Sequence, residues 1–431
     1  MKFIDLFSGL GCFHVALHDL GHDCVYACEI NKELNTLYEK NFSIKPDFDI
    51  TKTNVEEIPD HDILCAGFPC QAFSKAGRQL GVNDDRGKLI NKVIEVLGVK
   101  RPSYFILENV RNLEKHNKGK TWRFIEEEIT RLGYKLEKKI LSPHQFGIPQ
   151  HRERIFIIGS LKKLEHYQWP SNMMSDFRRF HAVQDSSKVV SLEKEKEKVL
   201  DIWQEFLDIL PNDVKPYSPL WSMEFGADYP IENFDVNKIP ISELKKLKGS
   251  FGRPLKGNTR KELIQGLPNY IKKQKGILPK WKQNYIKNNR KFYIQNKSLI
   301  DKVLYKIERL DNESWQKFEW NCGDLYKNIW EYYIQFRGSG IRIKKTEYFP
   351  SLVTVSTQIP IVGKEKRYIT AEEAKMLQSI PEYINLPDTQ ASKFKALGNA
   401  VNVDLIKLVA GSLLSLEESK SDHLEKYINV L

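Results

Sequence analysis

Over the first 165 residues, short apolar runs alternate with stretches of helical periodicity. Residues 2–7 (Lys-Phe-Ile-Asp-Leu-Phe) predict a strand, and Ser8-Gly9-Leu10-Gly11 a tight turn after it. Phe13, Ala16, Leu17 and Leu20 then recur at i, i+3, i+4 and i+7, one face of a helix that Gly21 closes. Cys24–Cys28 reads as a second strand ending at Glu29, with Asn31 placed to cap a helix carrying Leu34, Leu37 and Tyr38. A short third strand is expected near Phe48, ending at Asp49-Ile50, and a fourth over Ile63–Ala66, stopped by Gly67 and Pro69. Gly87–Val99 and Trp122–Leu132 read as helices. Tyr104–Leu107, ending at Glu108-Asn109, and Arg154–Gly159 read as strands. This alternation predicts the α/β class: a doubly wound, mostly parallel sheet with helices on both faces.

Past residue 165 the alternation fails. Residues 166–345 are rich in Lys, Asn, Trp and Tyr, and only Leu192–Leu210 reads as a charged helix. The aromatics of this region (Trp203, Trp221, Trp281, Trp315, Trp320, Trp330) require burial, which predicts a second, smaller domain in place of disorder. Near the end, Thr370 with Glu373 forms a capping-box signature for a helix over Thr370–Leu377. Phe394–Val403 reads as a Gly-Asn turn, and Asp404–Leu416 as a closing amphipathic helix. The expected division is a larger domain of residues 1–165 plus 390–431, with residues 166–389 inserted as the smaller one.

Composition narrows the function classes. The chain has 431 residues, 41% of them hydrophobic, and no apolar run approaching the roughly 20 residues of a membrane span. Asp5 interrupts the opening apolar run, which does not fit a signal peptide. Six cysteines (Cys12, Cys24, Cys28, Cys65, Cys70, Cys322) are too few for a disulfide framework and show no zinc spacing, so a cytoplasmic protein without metal and without a membrane partner is expected. The formal net charge is +11, yet residues 241–300 alone carry 16 Lys plus Arg against Glu243 and Glu262. Aromatics (Phe251, Tyr270, Trp281, Tyr285, Phe292, Tyr293) interleave with that basic run, the footprint expected of a surface for a polyanion, or else of a solvated basic surface or an anionic-membrane patch.

Candidate chemistry falls at the ends of the predicted strands. Gly9, Glu29, Asp49, Cys70 and Glu108 each lie just past a different one, on the rim where open α/β sheets bind ligands. Cys70, held by Pro69 and followed by Gln71 and Ser74, reads either as a reacting group or as a small buried hydrophobe. Gly9-Leu10-Gly11 lets backbone approach a ligand, but position 14 is His, so the third glycine of a dinucleotide fingerprint is missing. Glu29 fits a ribose diol and Asp49 an adenine amino group, or each is a capping acid; together they suggest an adenosyl ligand without a pyrophosphate.

These residues carry a resemblance. Asp5-Leu6-Phe7-Ser8-Gly9-Leu10-Gly11, Gly67-Phe68-Pro69-Cys70-Gln71, Glu108-Asn109-Val110 and Gln150-His151-Arg152-Glu153-Arg154 are similar, in order, to motifs of the DNA (cytosine-5)-methyltransferases. So are Arg367-Tyr368-Ile369-Thr370 with Leu377-Gln378-Ser379-Ile380-Pro381, and Ala396-Leu397-Gly398-Asn399-Ala400-Val401. The resemblance implies S-adenosylmethionine as cofactor, S-adenosylhomocysteine as product, and Cys70 as a nucleophile adding to carbon 6 of a cytosine flipped out of duplex DNA. It implies Glu108 at ring nitrogen 3, Arg154 at the base's carbonyl oxygen, and Arg152 and Asn109 ordering the pocket. The cofactor would meet Phe7, Gly9, Leu10, Gly11, Glu29, Ile30, Asp49, Ile50, Pro69 and Asn399. DNA would meet Gln71, Ser74, Arg78, Gln150 and Thr354. The glycines and charges of Ala72–Arg86 (Gly77, Gly81; Lys75, Arg78) suit a mobile lid over the base, or an ordinary surface loop. It further implies a monomeric prokaryotic enzyme acting on DNA in the cytoplasm, with residues 166–389 as target-recognition domain and a restriction endonuclease as functional companion. Cys12 departs from the pattern, standing where many relatives have glycine. The nearest competing substrate is a tRNA cytosine; a non-catalytic DNA-binding regulator or a nicotinamide oxidoreductase fits the residues less well.

Overall fold

A computed structural model describes residues 1–69, 88–162, 164–171, 189–232, 235, 238–274, 276–323 and 328–415. The chain opens with β1 (Lys2–Leu6), α1 (Cys12–Asp19), β2 (Asp23–Cys28), α2 (Lys32–Phe42), β3 (Ile63–Gly67), α3 (Lys88–Lys100), β4 (Tyr104–Val110) and α4 (Lys120–Arg131). It continues with β5 (Lys135–Leu141), β6 (Gln150–His151) and β7 (Arg154–Ser160). Then come α5 (Lys194–Asp208), β8 (Leu220–Trp221), α6 (Ile241–Leu244), α7 (Arg260–Gln265), α8 (Asn269–Lys272) and α9 (Lys280–Glu308). The last elements are β9 (Lys317–Asn321), β10 (Tyr333–Arg337), β11 (Gly340–Lys344), β12 (Phe349–Pro350), β13 (Ile361–Val362), β14 (Arg367–Tyr368), α10 (Ala371–Leu377), α11 (Gln390–Asn399) and α12 (Val403–Leu414).

The first compact unit comprises Met1–Ser186, Glu347–Ser356 and Thr370–Leu431. Its six-stranded sheet has the order β2-β1-β3-β4-β7-β5. β1 to β4 run parallel, whereas β7 pairs antiparallel with both β4 and β5, so the sheet is mixed at that edge. Alternation along the strands covers both faces. Ile4, Leu6, Leu64 and Ala66 join Ile90, Val93 and Leu97 of α3 and Ile125 and Ile129 of α4 in one core. Phe3, Ile63, Cys65 and Ile106 point to the opposite side and are fully buried. α1 and α12 pack together as a pair of helices in this unit.

Two expectations change here. The third strand near Phe48 is only a one-residue bridge between Cys28 and Asp47, because Asp49 turns the chain by binding the Thr51 amide (3.0 Å) and hydroxyl (2.7 Å). Phe394–Val403 is not a turn: Gly398 lies in α11, where an added Cβ would stand 2.6 Å from the Val353 carbonyl carbon and 2.8 Å from the Thr354 amide nitrogen. The glycine serves a close backbone crossing.

Division of the chain also differs from the expected one. β12 pairs with β6, which draws residues 347–356 into the first unit. Gln378 donates to the Leu397 carbonyl (3.0 Å) and Asn402 to the Leu377 carbonyl (3.2 Å), fastening the segment after Thr370 to α11 and α12. The Thr370–Glu373 capping box is present at the start of α10.

The second unit, Ser187–Thr346 with Thr357–Ile369, has a six-stranded sheet of order β14-β13-β10-β11-β9-β8. Trp203 and Phe206 of α5 and Ile300, Val303 and Ile307 of α9 cover its Phe318, Ile334, Ile341 and Ile343. Trp203 stacks on Phe318 at 4.8 Å and donates its indole N–H to the Trp315 carbonyl (2.8 Å). The aromatics of the basic segment mostly serve packing: Phe292 and Tyr293 are buried, and Trp281 is the one among them that is mainly exposed, at 54%. Beside them, a fully buried Glu224 pairs with Arg290 (3.0 Å) and accepts from the Tyr229 and Tyr270 hydroxyls.

Asp5 gives the first testable consequence. It is fully buried on β1, and among the described residues neither carboxyl oxygen has a hydrogen-bond partner of ordinary geometry. Burial holds its pKa well above the usual carboxylate range; the His14 amide opposes this, the Glu29 charge reinforces it, and the Tyr38 hydroxyl opposes it more weakly. A carboxyl raised on folding contributes stability that is full below its unfolded pKa and is lost as pH rises toward the folded one. Wild-type stability therefore declines from this group as pH rises from the unfolded Asp range (~4) toward the folded value, at no more than about 1.4 kcal/mol per pH unit. Asp5→Asn removes that slope. Urea unfolding of both proteins between pH 5 and 7 checks it, and parallel profiles would refute the assignment.

Candidate active site at the strand ends

The parallel strands β1 to β4 bring their carboxyl ends to one rim. After β1 the backbone turns through Phe7 (φ 58°), Gly9 (φ 55°) and Gly11 (φ 76°), all left-handed. An aromatic residue in that region is strained, and such strain gathers at ligand sites. Ser8 anchors the turn by donating its amide to the Cys28 carbonyl (3.1 Å), while its hydroxyl is buried without a partner among the described residues. Gly11 ends the turn as the N-cap of α1. A Cβ there would lie 2.3 Å from Cε2 of Phe42 and 2.6 Å from its Cζ. Gly11→Ala is accordingly expected to cost roughly 2 to 4 kcal/mol, combining the left-handed penalty with overpacking. Denaturant titration measures this, and a loss below ~1 kcal/mol would contradict it.

Beyond β2, Glu29 closes the same turn. One carboxylate oxygen accepts the Gly9 amide (2.8 Å) and the other the Asn31 amide (2.7 Å). Burial raises its pKa, and the Asn31 and Gly9 amides oppose the rise. Asn31 caps α2 by accepting from the Leu34 amide (3.1 Å), as its position after the strand predicts. Ile30 exposes 61% of its surface, whereas Ile50 and Leu10 are buried. Asp49 is half-buried, its carboxyl held below the usual range chiefly by the Thr51 hydroxyl. Pro69 is half-buried after β3, and Asn399, at the end of α11, is exposed.

The second cluster sits where β3 and β4 end. Gly67 is in register with Glu108, and a Cβ on it would stand 3.7 Å from Glu108 Oε2, 3.8 Å from Phe13 and 3.9 Å from Val401. Arg154 Nε pairs with Glu108 Oε1 at 2.9 Å, both side chains being largely buried. The antiparallel course of β7 explains this meeting: its first residue, Arg154, lies opposite Val110 on the rim where β4 ends. Burial raises the Glu108 pKa, with the Arg154 and then the Arg152 charges pulling the other way. Asn109 donates its side-chain amide to the Phe68 carbonyl (3.1 Å), fixing the backbone just before Pro69.

Arg152 is buried and works as a clamp. Its guanidinium donates to the carbonyls of Leu352, Gly398 and Ala400, each at 2.8 Å, and to the Ser351 hydroxyl at 3.4 Å. Sequence reasoning had no signal for these partners, which lie some 200 residues away along the chain. Gln150 is fully buried, with neither side-chain amide atom bonded among the described residues, and Thr354 is exposed. Cys70, Gln71, Ser74, Arg78 and the segment Ala72–Arg86 lie outside the described residues. The five described cysteines are free thiols. Burial pushes Cys12, Cys24, Cys28 and Cys322 up to about 12 and Cys65 well above its ordinary value, so none is poised as a thiolate.

The chain is 44% identical over 172 residues to the Type II methyltransferase M.HhaI of Haemophilus parahaemolyticus, a match covering 39% of this chain and 53% of that protein. Identity to M.HaeII of Haemophilus aegyptius is 35% over 255 residues, covering 58% of this chain and 75% of the relative. M.AluI of Cellulosimicrobium cellulans aligns over 94% of this chain and 90% of its own length at 27% identity. The M.HhaI match, like those to two further Type II methyltransferases at 45–46% identity, thus spans about half the length of the curated relative. Among solved structures, one described as a DNA modification methyltransferase encoded within an E. coli prophage superposes with a TM-score of 0.51 at 18% identity, covering 97% of this chain and 100% of the other, a likeness of fold. Residues 1–415 match the C-5 cytosine-specific DNA methylases, and with that match spanning nearly all of it, the chain belongs to this family.

Proposed function

We propose that this protein methylates carbon 5 of a cytosine flipped out of duplex DNA, through a covalent adduct with Cys70, as the modification enzyme of a restriction-modification system. The observation that carries the reading is the Glu108–Arg154 pair at 2.9 Å, in register with Gly67 on the strand that leads to Cys70. A raised carboxyl paired with a guanidinium at the end of that strand is what a proton donor and a cation acting on a ring would need.

The turn after β1 fits an adenosyl cofactor on its own features. Glycine φ values above zero, an unbonded Ser8 hydroxyl and a Glu29 carboxylate with further acceptor capacity form a polar cradle, and exposed Ile30 offers an apolar surface for a ring. Phe7, Gly9, Leu10, Gly11, Glu29, Ile30, Asp49, Ile50, Pro69 and Asn399 would hold it. Bound S-adenosylmethionine supplies an electrophilic methyl and departs as S-adenosylhomocysteine.

The chain's own groups supply the rest. A Cys70 thiolate bonds to carbon 6, placing electron density on carbon 5 and making that carbon nucleophilic. Glu108, whose pKa burial raises, holds a proton at ring nitrogen 3, where negative charge develops. Arg154, paired with Glu108, would meet the base's carbonyl oxygen. Asn109 holds the Phe68 carbonyl just before Pro69 and would order the pocket there. Once carbon 5 carries the methyl, a base removes its proton, the carbon 5–carbon 6 double bond re-forms, and Cys70 leaves as a thiolate. The protein is read as a cytoplasmic monomer that works beside a restriction nuclease.

Transfer of labelled methyl groups from S-adenosylmethionine to mixed-sequence duplex DNA and to tRNA tests the reading. Label in cytosine carbon 5 of duplex DNA, with protection of that DNA from a nuclease in a restriction panel, is expected. Label confined to tRNA would overturn the substrate, and none in either would overturn the activity.

A further inference from the structure

The sheet of the second unit has one face covered by α5 and α9, and on the central strands its opposite face carries polar side chains and Tyr333. Register places Gln335 of β10 beside Arg342 of β11, and Arg342 beside Glu319 of β9; the next row is Tyr333, Lys344 and Asn321. Arg337 ends β10 on the same side, opposite Gly340. Gln335 is buried and donates to the Gln358 carbonyl (2.8 Å), so the part of this face left to a ligand is the cationic side around Arg337 and Arg342, which suits the polar edges and phosphates of a nucleic acid.

The charges on this face do not balance. Glu319 is a single carboxylate facing two guanidiniums. Arg342 takes it with two nitrogens, Nε and Nη2, each at 2.7 Å from the same oxygen, and is held in place. Arg337 reaches that oxygen only through Nη1 at 3.4 Å. Burial and the adjacent Arg342 charge both lower the Arg337 pKa, and Glu319 only partly offsets them. A half-buried guanidinium with one long contact retains the donors for a second acceptor pair. The approach is also open. The tip beside Arg337 is Gly338-Ser339-Gly340, and a Cβ built on Gly338 meets nothing within 4 Å, while Gly340 (φ 137°) lies against Lys317.

We infer that this sheet face docks duplex DNA, with Arg337 contacting an acceptor pair on the duplex, and with Glu319 and Arg342 as positioning residues that fix its direction. The inference rests on the proposed action on DNA and adds to it the residue that meets the duplex. A guanine edge (O6 and N7) and a phosphate present the same acceptor chemistry, and one experiment separates them.

The experiment compares wild type, Arg337→Ala, Arg337→Lys and Glu319→Gln for binding to duplex DNA across a salt series, and for site preference in methyl transfer by bisulfite sequencing. Far-UV circular dichroism and melting confirm that each variant folds. Arg337→Ala is expected to weaken binding at the wild-type site roughly ten- to hundredfold. If Arg337 meets a base, discrimination at one base pair is lost, Arg337→Lys does not restore it, and Glu319→Gln relaxes it in part. If it meets a phosphate, binding weakens uniformly across sequences, the salt slope falls by about one, and Arg337→Lys largely restores both. A folded Arg337→Ala protein with unchanged affinity, salt slope and site preference overturns the inference, as does wild type that does not bind duplex DNA. Wild type that binds DNA without methylating it would count against the proposed reaction alone, leaving the binding comparison decisive for Arg337.

Discussion

Glu108→Ala is expected to lower methyl transfer roughly 10²- to 10⁴-fold, the range for loss of a positioned acid. The reason lies in the environment of the carboxyl. Burial raises its pKa, so the protonated form persists to a higher pH than an exposed glutamate allows, while Arg154 at 2.9 Å fixes its orientation. Glu108→Gln keeps a donor of similar shape that does not titrate. Its rate should fall less than that of the alanine variant, and the decline that wild type shows as pH rises through the Glu108 pKa should be absent from it. Single-turnover rates between pH 5 and 9 read both effects. A Glu108→Ala rate within threefold of wild type, in a protein that melts normally, would remove Glu108 from the chemistry.

Arg152→Met carries the largest expected effect on stability. Methionine replaces the buried aliphatic length of the side chain and removes the donors that three carbonyls and a hydroxyl share. Breaking a buried charged hydrogen-bond set costs roughly 3–5 kcal/mol, because the abandoned carbonyls stay out of water. Residues 351–352 and 398–400 would then lose their common anchor, so the loss should appear in melting temperature as well as in turnover. Arg152→Lys should recover only part, since an ammonium lacks the planar fork that reaches both segments. An Arg152→Met protein as stable as wild type would show that the packing of Gly398 against Val353 holds the crossing unaided.

Much of the first unit was legible because local signals and tertiary structure agree there. The strand before Gly9, the cap at Asn31, the run ending at Gly67 and the Thr370–Glu373 box all follow from short-range chemistry. The antiparallel course of β7 was not legible, since apolar alternation carries no direction, yet that course brings Arg154 to Glu108. Gly398 misled for a related reason: glycine signals a turn locally, and here it answers a backbone crossing from a distant segment. In the second unit the 29-residue α9 went unread although Ile286, Tyr293, Ile300 and Ile307 repeat every seven residues and are buried. Its Lys and Asn content obscured the stripe, and one core position is a buried Asn289, which accepts the Trp221 amide (2.7 Å) and donates to the Pro219 carbonyl (3.1 Å). The basic aromatic run was legible as composition but not as geometry, since most of its rings pack inward.

The central claim is the covalent step at Cys70, and trapping tests it most directly. A duplex carrying 5-fluorocytosine at the methylated position allows addition at carbon 6 but offers no carbon 5 proton to lose, so the sulfur–carbon bond persists. Incubation with S-adenosylmethionine, proteolysis and mass spectrometry should locate the nucleotide on the peptide containing Cys70, and Cys70→Ala should yield no adduct. An adduct on another residue, or none from a protein that methylates the unmodified duplex, would contradict the account.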